Sequence, residues 1–163
     1  MKTILLSPFS SVMPKDEKNP KSYPIDFCNE LIDLLKKEFP DDHICHVKLN
    51  YEPGLQGTVQ MVDCELIKLM AMVKDKDTRF WISVDNFFHH LAWLAKRPGF
   101  VVFSKSDPFI FGHDKNVNII KSLQFRRPDT FGYWWNCQFQ KEAFPPPDYI
   151  METIKENRGK IWD

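Results

Sequence analysis

Arg79-Phe-Trp-Ile-Ser-Val-Asp-Asn-Phe-Phe-His-His-Leu-Ala-Trp-Leu-Ala-Lys-Arg-Pro-Gly-Phe-Val-Val-Phe103 is the stretch whose reading decides the fold. Arg79 to Val84 is rich in aromatic and β-branched side chains and reads as a strand. Asp85 stands at a junction. Phe87, Phe88, Leu91, Ala92, Leu94 and Ala95 then make a helix that is apolar over a wide arc, and Pro98 and Gly99 end it. Phe100 to Phe103 is an almost continuous apolar strand. Strand, helix, strand with unbroken apolar runs is the pattern of a parallel sheet, because a parallel neighbour needs a crossover and the crossover helix buries the sheet face.

The same rhythm continues outward. Lys2 to Ser7 predicts a buried strand closed by Pro8, and the segment from Phe9 to Tyr23, rich in Ser, Pro and charge, is a loop long enough to be functional or mobile. Pro24 suits the first turn of a helix in which Cys28, Leu31, Ile32 and Leu35 recur at helical spacing until Pro40. His43 to Leu49 and the shorter Thr58 to Val62 read as strands separated only by the turn segment Tyr51 to Gly57. That is too short for an ordinary parallel crossover, so either the connection is truncated or the short strand is not a regular parallel neighbour. Asp63 is expected to cap a helix whose apolar face carries Leu66, Ile67, Met70 and Val73. Val117 to Ile120 supplies a further strand, and 124–163 is a loop plus a closing helix opened by Pro147. The expectation is α/β: one domain over 1–163, Rossmann-like and doubly wound, with a mainly parallel sheet in which the Lys2 strand lies beside the Arg79 strand.

Composition narrows the function classes. Of 163 residues, 43% are hydrophobic and 14% aromatic, enough for one good core. Lys plus Arg and Asp plus Glu both total 22, so no field draws in polyanions, and nucleic acid is not an expected partner. The longest apolar runs, Ile4 to Leu6 and Phe100 to Phe103, are strand-sized, so no membrane span is expected. The amino-terminal stretch is too short for a secretory signal, and the expected location is the cytoplasm. Cys28, Cys45, Cys64 and Cys137 lack a Cys-x-x-Cys pair and read as reduced thiols. His43 and His46 point to opposite faces of a strand, so no metal site is read from them, and no cofactor is expected.

Within Trp81 to Pro108, Asp85, His90, Leu91, Ala92, Ser106, Asp107 and Pro108 follow an order of strand-terminal Asp, helix with His and Leu-Ala, strand, and Ser-Asp-Pro loop. This order resembles the donor-binding domain of the heptosyltransferase-like glycosyltransferases, which have the GT-B fold of two Rossmann-like domains facing a cleft. More weakly, Asn19-Pro-Lys-Ser-Tyr-Pro24 looks like the family segment in which a Lys touches the donor diphosphate, which implies that role for Lys21. Cys137 and Phe144 to Ile154 look like the closing elements. The resemblance covers one domain. The family takes its acceptor site and catalytic base from the other, so it implies a homo-oligomer or a separate acceptor-domain protein as partner, and no catalytic residue is assigned. The chain departs from the family at Asn86 and Phe87, where a Ser/Thr-Gly pair usually lets phosphate approach the helix.

Ligands of open α/β sheets bind beyond the carboxyl ends of the strands. Ser10, Ser11, Lys21, Asp85, Asn86, His90, Ser104, Ser106 and Asp107 gather there and form the candidate donor site: a lysine and helix-end N–H groups offset diphosphate charge, and a carboxylate accepts from sugar hydroxyls. Each has a plainer reading. Asp85 suits an N-cap, His90 a core histidine and Lys21 a solvated loop charge. His89 reads as exposed or packed. Arg126 and Arg127, followed by Phe131, Tyr133, Trp134 and Trp135, suit a sheet-edge cover or oligomer contact better than base stacking. The expected function is a glycosyltransferase-like protein that binds a nucleoside diphosphate sugar. The alternatives are a non-catalytic nucleotide-binding module and an interaction protein with a degenerate pocket.

Overall fold

The computed structural model describes residues 1–11, 13 and 18–162, the side chain of Trp135 excepted. In chain order the strands are β1 (Thr3–Ser7), β2 (His43–Lys48), β3 (Val59–Val62), β4 (Thr78–Val84), β5 (Phe100–Phe103) and β6 (Val117–Ile120). The helices are α1 (Ile25–Glu38), α2 (Leu66–Lys74), α3 (Phe87–Leu94), the one-turn α4 (Pro108–Phe111) and α5 (Pro147–Glu156). All six strands are parallel, in the order β3-β2-β1-β4-β5-β6. The order reverses between β1 and β4, which pair from Ile4 with Phe80 to Ser7 with Ser83. That is the adjacency expected of the doubly wound class.

Side-chain alternation divides the core in two. Ile4, Leu6, Ile82, Val84 and Val102 face α1 (Leu31, Ile32, Leu35) and α5 (Ile150, Ile154). Leu5, Trp81, Val101 and Phe103 face α2 (Leu69, Val73) and α3 (Phe88, Leu91, Ala92). Trp162 closes the first layer by packing edge-on against Phe39, its indole N–H donating to the Ile154 carbonyl at 3.0 Å. The four cysteines are free thiols.

One open alternative is resolved, in favour of the truncated connection, and two local expectations change. β3 is a regular parallel neighbour of β2 although the connection holds no helix. Leu55 substitutes for one by burying itself beside α1, and Glu52 and Asp63 bind the Leu49 and Asn50 amides at 2.8 and 3.0 Å. Asp63 is therefore not a cap, and α2 begins after Glu65 without a side-chain cap bond. The buried face of α2 is Leu69 and Val73, whereas Leu66 and Ile67 are exposed, and α3 likewise buries one face and leaves Phe87, Trp93 and Leu94 half open.

Candidate functional site

The loop after β1 is held at several points. Pro8 accepts from the Tyr23 amide, Asn19 bridges the Ser11 carbonyl and the Lys21 amide at 2.8 Å each, and Ser104 donates to the Pro20 carbonyl at 2.7 Å. A loop tied to β1 and to the end of β5 delivers Lys21 across the switch point. Its ammonium stands 3.7 Å from Asp85 Oδ2 and 4.8 Å from the Trp134 ring centre. Asp85, just beyond β4, is buried, and its other oxygen lies 3.1 Å from His89 Nε2. Burial opposes the charge of this carboxylate, yet His89, Lys21 and the nearby Ser106 hydroxyl together hold its pKa below the ordinary value. Ser106 is buried beside it without a fully formed hydrogen bond among the described residues. Lys21, Asp85 and Ser106 therefore converge from three separate segments, as the sequence led us to expect.

The cleft above them measures about 260 Å³ and is walled by Ser10, Ser11, Lys21, Glu52, Asp85, Phe87 and His90, among others. Across Ser10, Ser11 and Glu52 it adjoins a hollow of about 600 Å³ lined by Lys18, Tyr23, Tyr51, Phe139 and Lys141. The second volume is of the size that holds drug-sized ligands.

Several sequence candidates have other work. Asn86, not Asp85, is the N-cap of α3: its Oδ1 accepts from the Phe88 amide at 2.8 Å and from Ser83 Oγ at 2.9 Å. Its Nδ2 donates to the Ser7 carbonyl, Ser7 Oγ and the Phe9 carbonyl at 3.2, 3.0 and 2.8 Å. Ser104 is committed to the loop, and Asp107 caps α4 and pairs with Arg126 at 2.6 Å. Ser10 lines the cleft with its amide bonded to Ser22 Oγ, and Ser11 is exposed at the rim. His89 is fully buried, the packed one of its two expected settings, whereas His90 is exposed and is not the core histidine of its plainer reading. His90 Nδ1 lies 3.0 Å from His113 Nε2, and burial with the neighbouring His89 pushes the pKa of His90 down to about 4. Burial and His89 lower that of His113 too.

Trp134 is not an edge cover. Its ring takes the Arg127 guanidinium at 3.6 Å from the ring centre and also flanks Lys21, while Phe131 and Tyr133 are exposed. Sequence reasoning also missed Glu52, whose pKa is raised by burial, and His113. Nothing in their local sequence marks either, because both reach the site only through the tertiary fold.

No protein-family model matches the chain, and no curated protein matches it by sequence. Solved structures do. The Escherichia coli heptosyltransferase WaaC with ADP superposes with a TM-score of 0.61 at 18% identity over 98% of this chain and 45% of that one. The family 9 glycosyl transferase from Veillonella parvula DSM 2008 gives 0.68 at 11% identity over 95% and 45%. No described helix is long and apolar enough to cross a membrane. The chain spans about 45% of the length of these neighbours, and its α/β fold is similar to one part of each.

Proposed function

We propose that the chain binds a nucleoside diphosphate, or the nucleotide sugar that carries it, at the carboxyl ends of β1 and β4, and that it acts as the donor-binding part of a glycosyltransferase. The observation that carries this reading is the placement of the Lys21 ammonium at the switch point. A pinned loop, the Asp85 carboxylate and the Trp134 ring hold it at the wall of an open cleft. An ammonium set there offsets phosphate charge, and the adjoining hollow has room for a nucleoside. The solved neighbour with ADP supports the same ligand chemistry.

Transfer needs more. An attacking hydroxyl must lose a proton to a positioned base, and proximity of donor and acceptor lowers the barrier by several kcal/mol. Asp85 has both oxygens engaged, and the cleft is open to water, so the acceptor surface is assigned to a partner protein or second subunit, with the cytoplasm as the expected setting. Binding without efficient transfer is expected of the chain alone. A non-catalytic nucleotide-binding module would share that result and would differ by staying inactive with any acceptor-bearing partner.

Thermal shift and calorimetry against ADP, UDP, GDP, CDP and their sugar conjugates test the reading. A ligand at 100 times its Kd adds about 2.7 kcal/mol of stability. Lys21→Met should weaken every nucleotide. Asp85→Asn should weaken nucleotide sugars relative to the nucleoside diphosphates, because the transferred sugar is the part that adds hydroxyls beyond the diphosphate, where the carboxylate is proposed to accept them. Silence across the panel would sink the proposal and favour an interaction protein.

A further inference from the structure

The sequence shows no metal-ligand spacing, yet the fold brings His89 and His90 of α3 together with His113 of the loop before β6. One ring nitrogen from each lies within 4.8 Å of the others. We propose that these three side chains form a binding site for a divalent first-row transition ion, zinc foremost, at the edge of the cleft. The inference does not rest on the nucleotide reading.

Three observations support it independently. First, the ring of His89 is oriented by Asp85: a carboxylate only accepts, so Nε2, 3.1 Å away, carries the proton, and in the neutral imidazole that binds metal the lone pair is on Nδ1. That Nδ1 is buried and has no hydrogen-bond partner among the described residues, an expense a folded chain rarely leaves uncompensated. A metal-bound histidine almost always gives its other nitrogen to a carboxylate or carbonyl in this way, which fixes the tautomer and raises ligand basicity. Second, His90 Nδ1 and His113 Nε2 already face each other at 3.0 Å. Two imidazole nitrogens aimed at one point suit a shared ion or a single shared hydrogen bond, and the third nitrogen close by is what the hydrogen bond leaves unexplained. Third, His113 is held in place by the Trp93 ring, stacked on it at 4.7 Å and 10°.

The spacing decides between a formed and an approachable site. Nitrogens bound at about 2.0–2.1 Å in a tetrahedron are about 3.3 Å apart. A set no wider than 4.8 Å closes to that by small rotations of His90 and His113, which are not buried, around a fixed His89. Imidazoles suit zinc, nickel and copper and disfavour magnesium and calcium. Three protein ligands leave the fourth zinc position for water or an anion.

The test uses the tag-free chain stripped with chelator and titrated with zinc chloride by calorimetry, with cobalt(II) as a spectroscopic substitute. Expected are one zinc per chain, a raised Tm, and the intense visible absorption of four-coordinate cobalt. His113→Gln and His90→Gln should each lose binding by at least an order of magnitude while the metal-free Tm stays near wild type. Asp85→Asn, acting through His89, should cost about 10–100-fold in affinity. His89 is buried and its variants test folding as much as binding, so the weight falls on the other two histidines. No uptake of zinc by the wild-type chain, or equal uptake by wild type and both exposed-histidine variants, overturns the site.

Discussion

Asn86→Ala separates a brace from a ligand group. The Asn86 side chain is buried, and its two ends tie β1, β4 and α3 together at the switch point through contacts to Ser7, Phe9, Ser83 and Phe88. Alanine removes the helix cap, worth about 1 kcal/mol. It also takes away the donor that serves the Phe9 carbonyl and the Ser7 hydroxyl, at about 1–3 kcal/mol for each buried group left unpaired. Water entering from the cleft offsets part of this, and a net loss of about 3 kcal/mol is expected. For a domain of this size that lowers Tm by roughly 6–12 °C. Urea unfolding at pH 7 reads the change as a shifted midpoint at constant slope. Asn86→Ser keeps an acceptor for the cap and should recover about 1 kcal/mol, whereas Asn86→Asp turns the donor contacts into carboxylate-to-carbonyl repulsion and should not. A stability within about 1 kcal/mol of wild type, with nucleotide affinity reduced instead, would refute the reasoning and return Asn86 to the ligand site.

Other perturbations have defined outcomes. Gly99→Ala places a Cβ 2.2 Å from the buried Trp81 ring, an overlap that only displacement relieves, and should cost about 1–3 kcal/mol by chemical denaturation. Lys96 sits at φ 57° in a complete Schellman turn, with Arg97 N–H to the Ala92 carbonyl and Lys96 N–H to that of Trp93. Lys96→Gly should therefore raise stability by about 0.5–1 kcal/mol, seen as a Tm gain of about 1–4 °C. His46 is buried with both ring nitrogens unpartnered among the described residues, and burial with Lys48 nearby pushes its pKa down from 6.5 to about 4. The unfolded chain then binds the extra proton, so stability should fall as pH drops from 6.5 towards 4, and His46→Phe should reduce that slope in thermal melts, the remainder coming from His90 and His113, whose pKa values are lowered too.

The fold was legible because its signals are local and repeated. Phe100 to Phe103 could only be a doubly covered strand, and the helix before it had to cross over. What misled was the burial assigned along each helix, since Leu66 and Ile67 are expected inside and His90 reads as the core histidine. His89 is buried because Asp85, one turn earlier, takes its Nε2, while Leu94 and Ile67 are exposed because they lie off the packed stripe. Helical phase cannot show this without the sheet in place. The site divided in the same manner. Asp85, Ser106 and Lys21 follow strand ends, and position and resemblance were enough to expect that they converge. His113 and Glu52 join through a loop and a helix-free crossover, whose course no periodicity encodes.

The two oxygens of Asp85 explain how the rest of the site is organised. Oδ2 faces Lys21 and Oδ1 faces His89, so a carboxylate with this arrangement orients its neighbours more readily than it removes a proton. The usual anion position of such folds, the amino end of the helix after the Asp, is altered here on two counts. Asn86 takes the Phe88 amide, and the half-exposed Phe87 ring stands at the cleft wall where a small side chain would admit phosphate. In the proposed binding mode a diphosphate would therefore lie away from the α3 terminus and towards the loop after β1, where Lys21 offers a full positive charge in place of a helix dipole and Ser10 and Ser11 line the wall. That binding mode would leave the His90 side of the cleft, where the three histidines meet, clear of phosphate. The proposed anion and cation positions thus fall on opposite sides of one carboxylate, with Lys21 at Oδ2 and His89 at Oδ1.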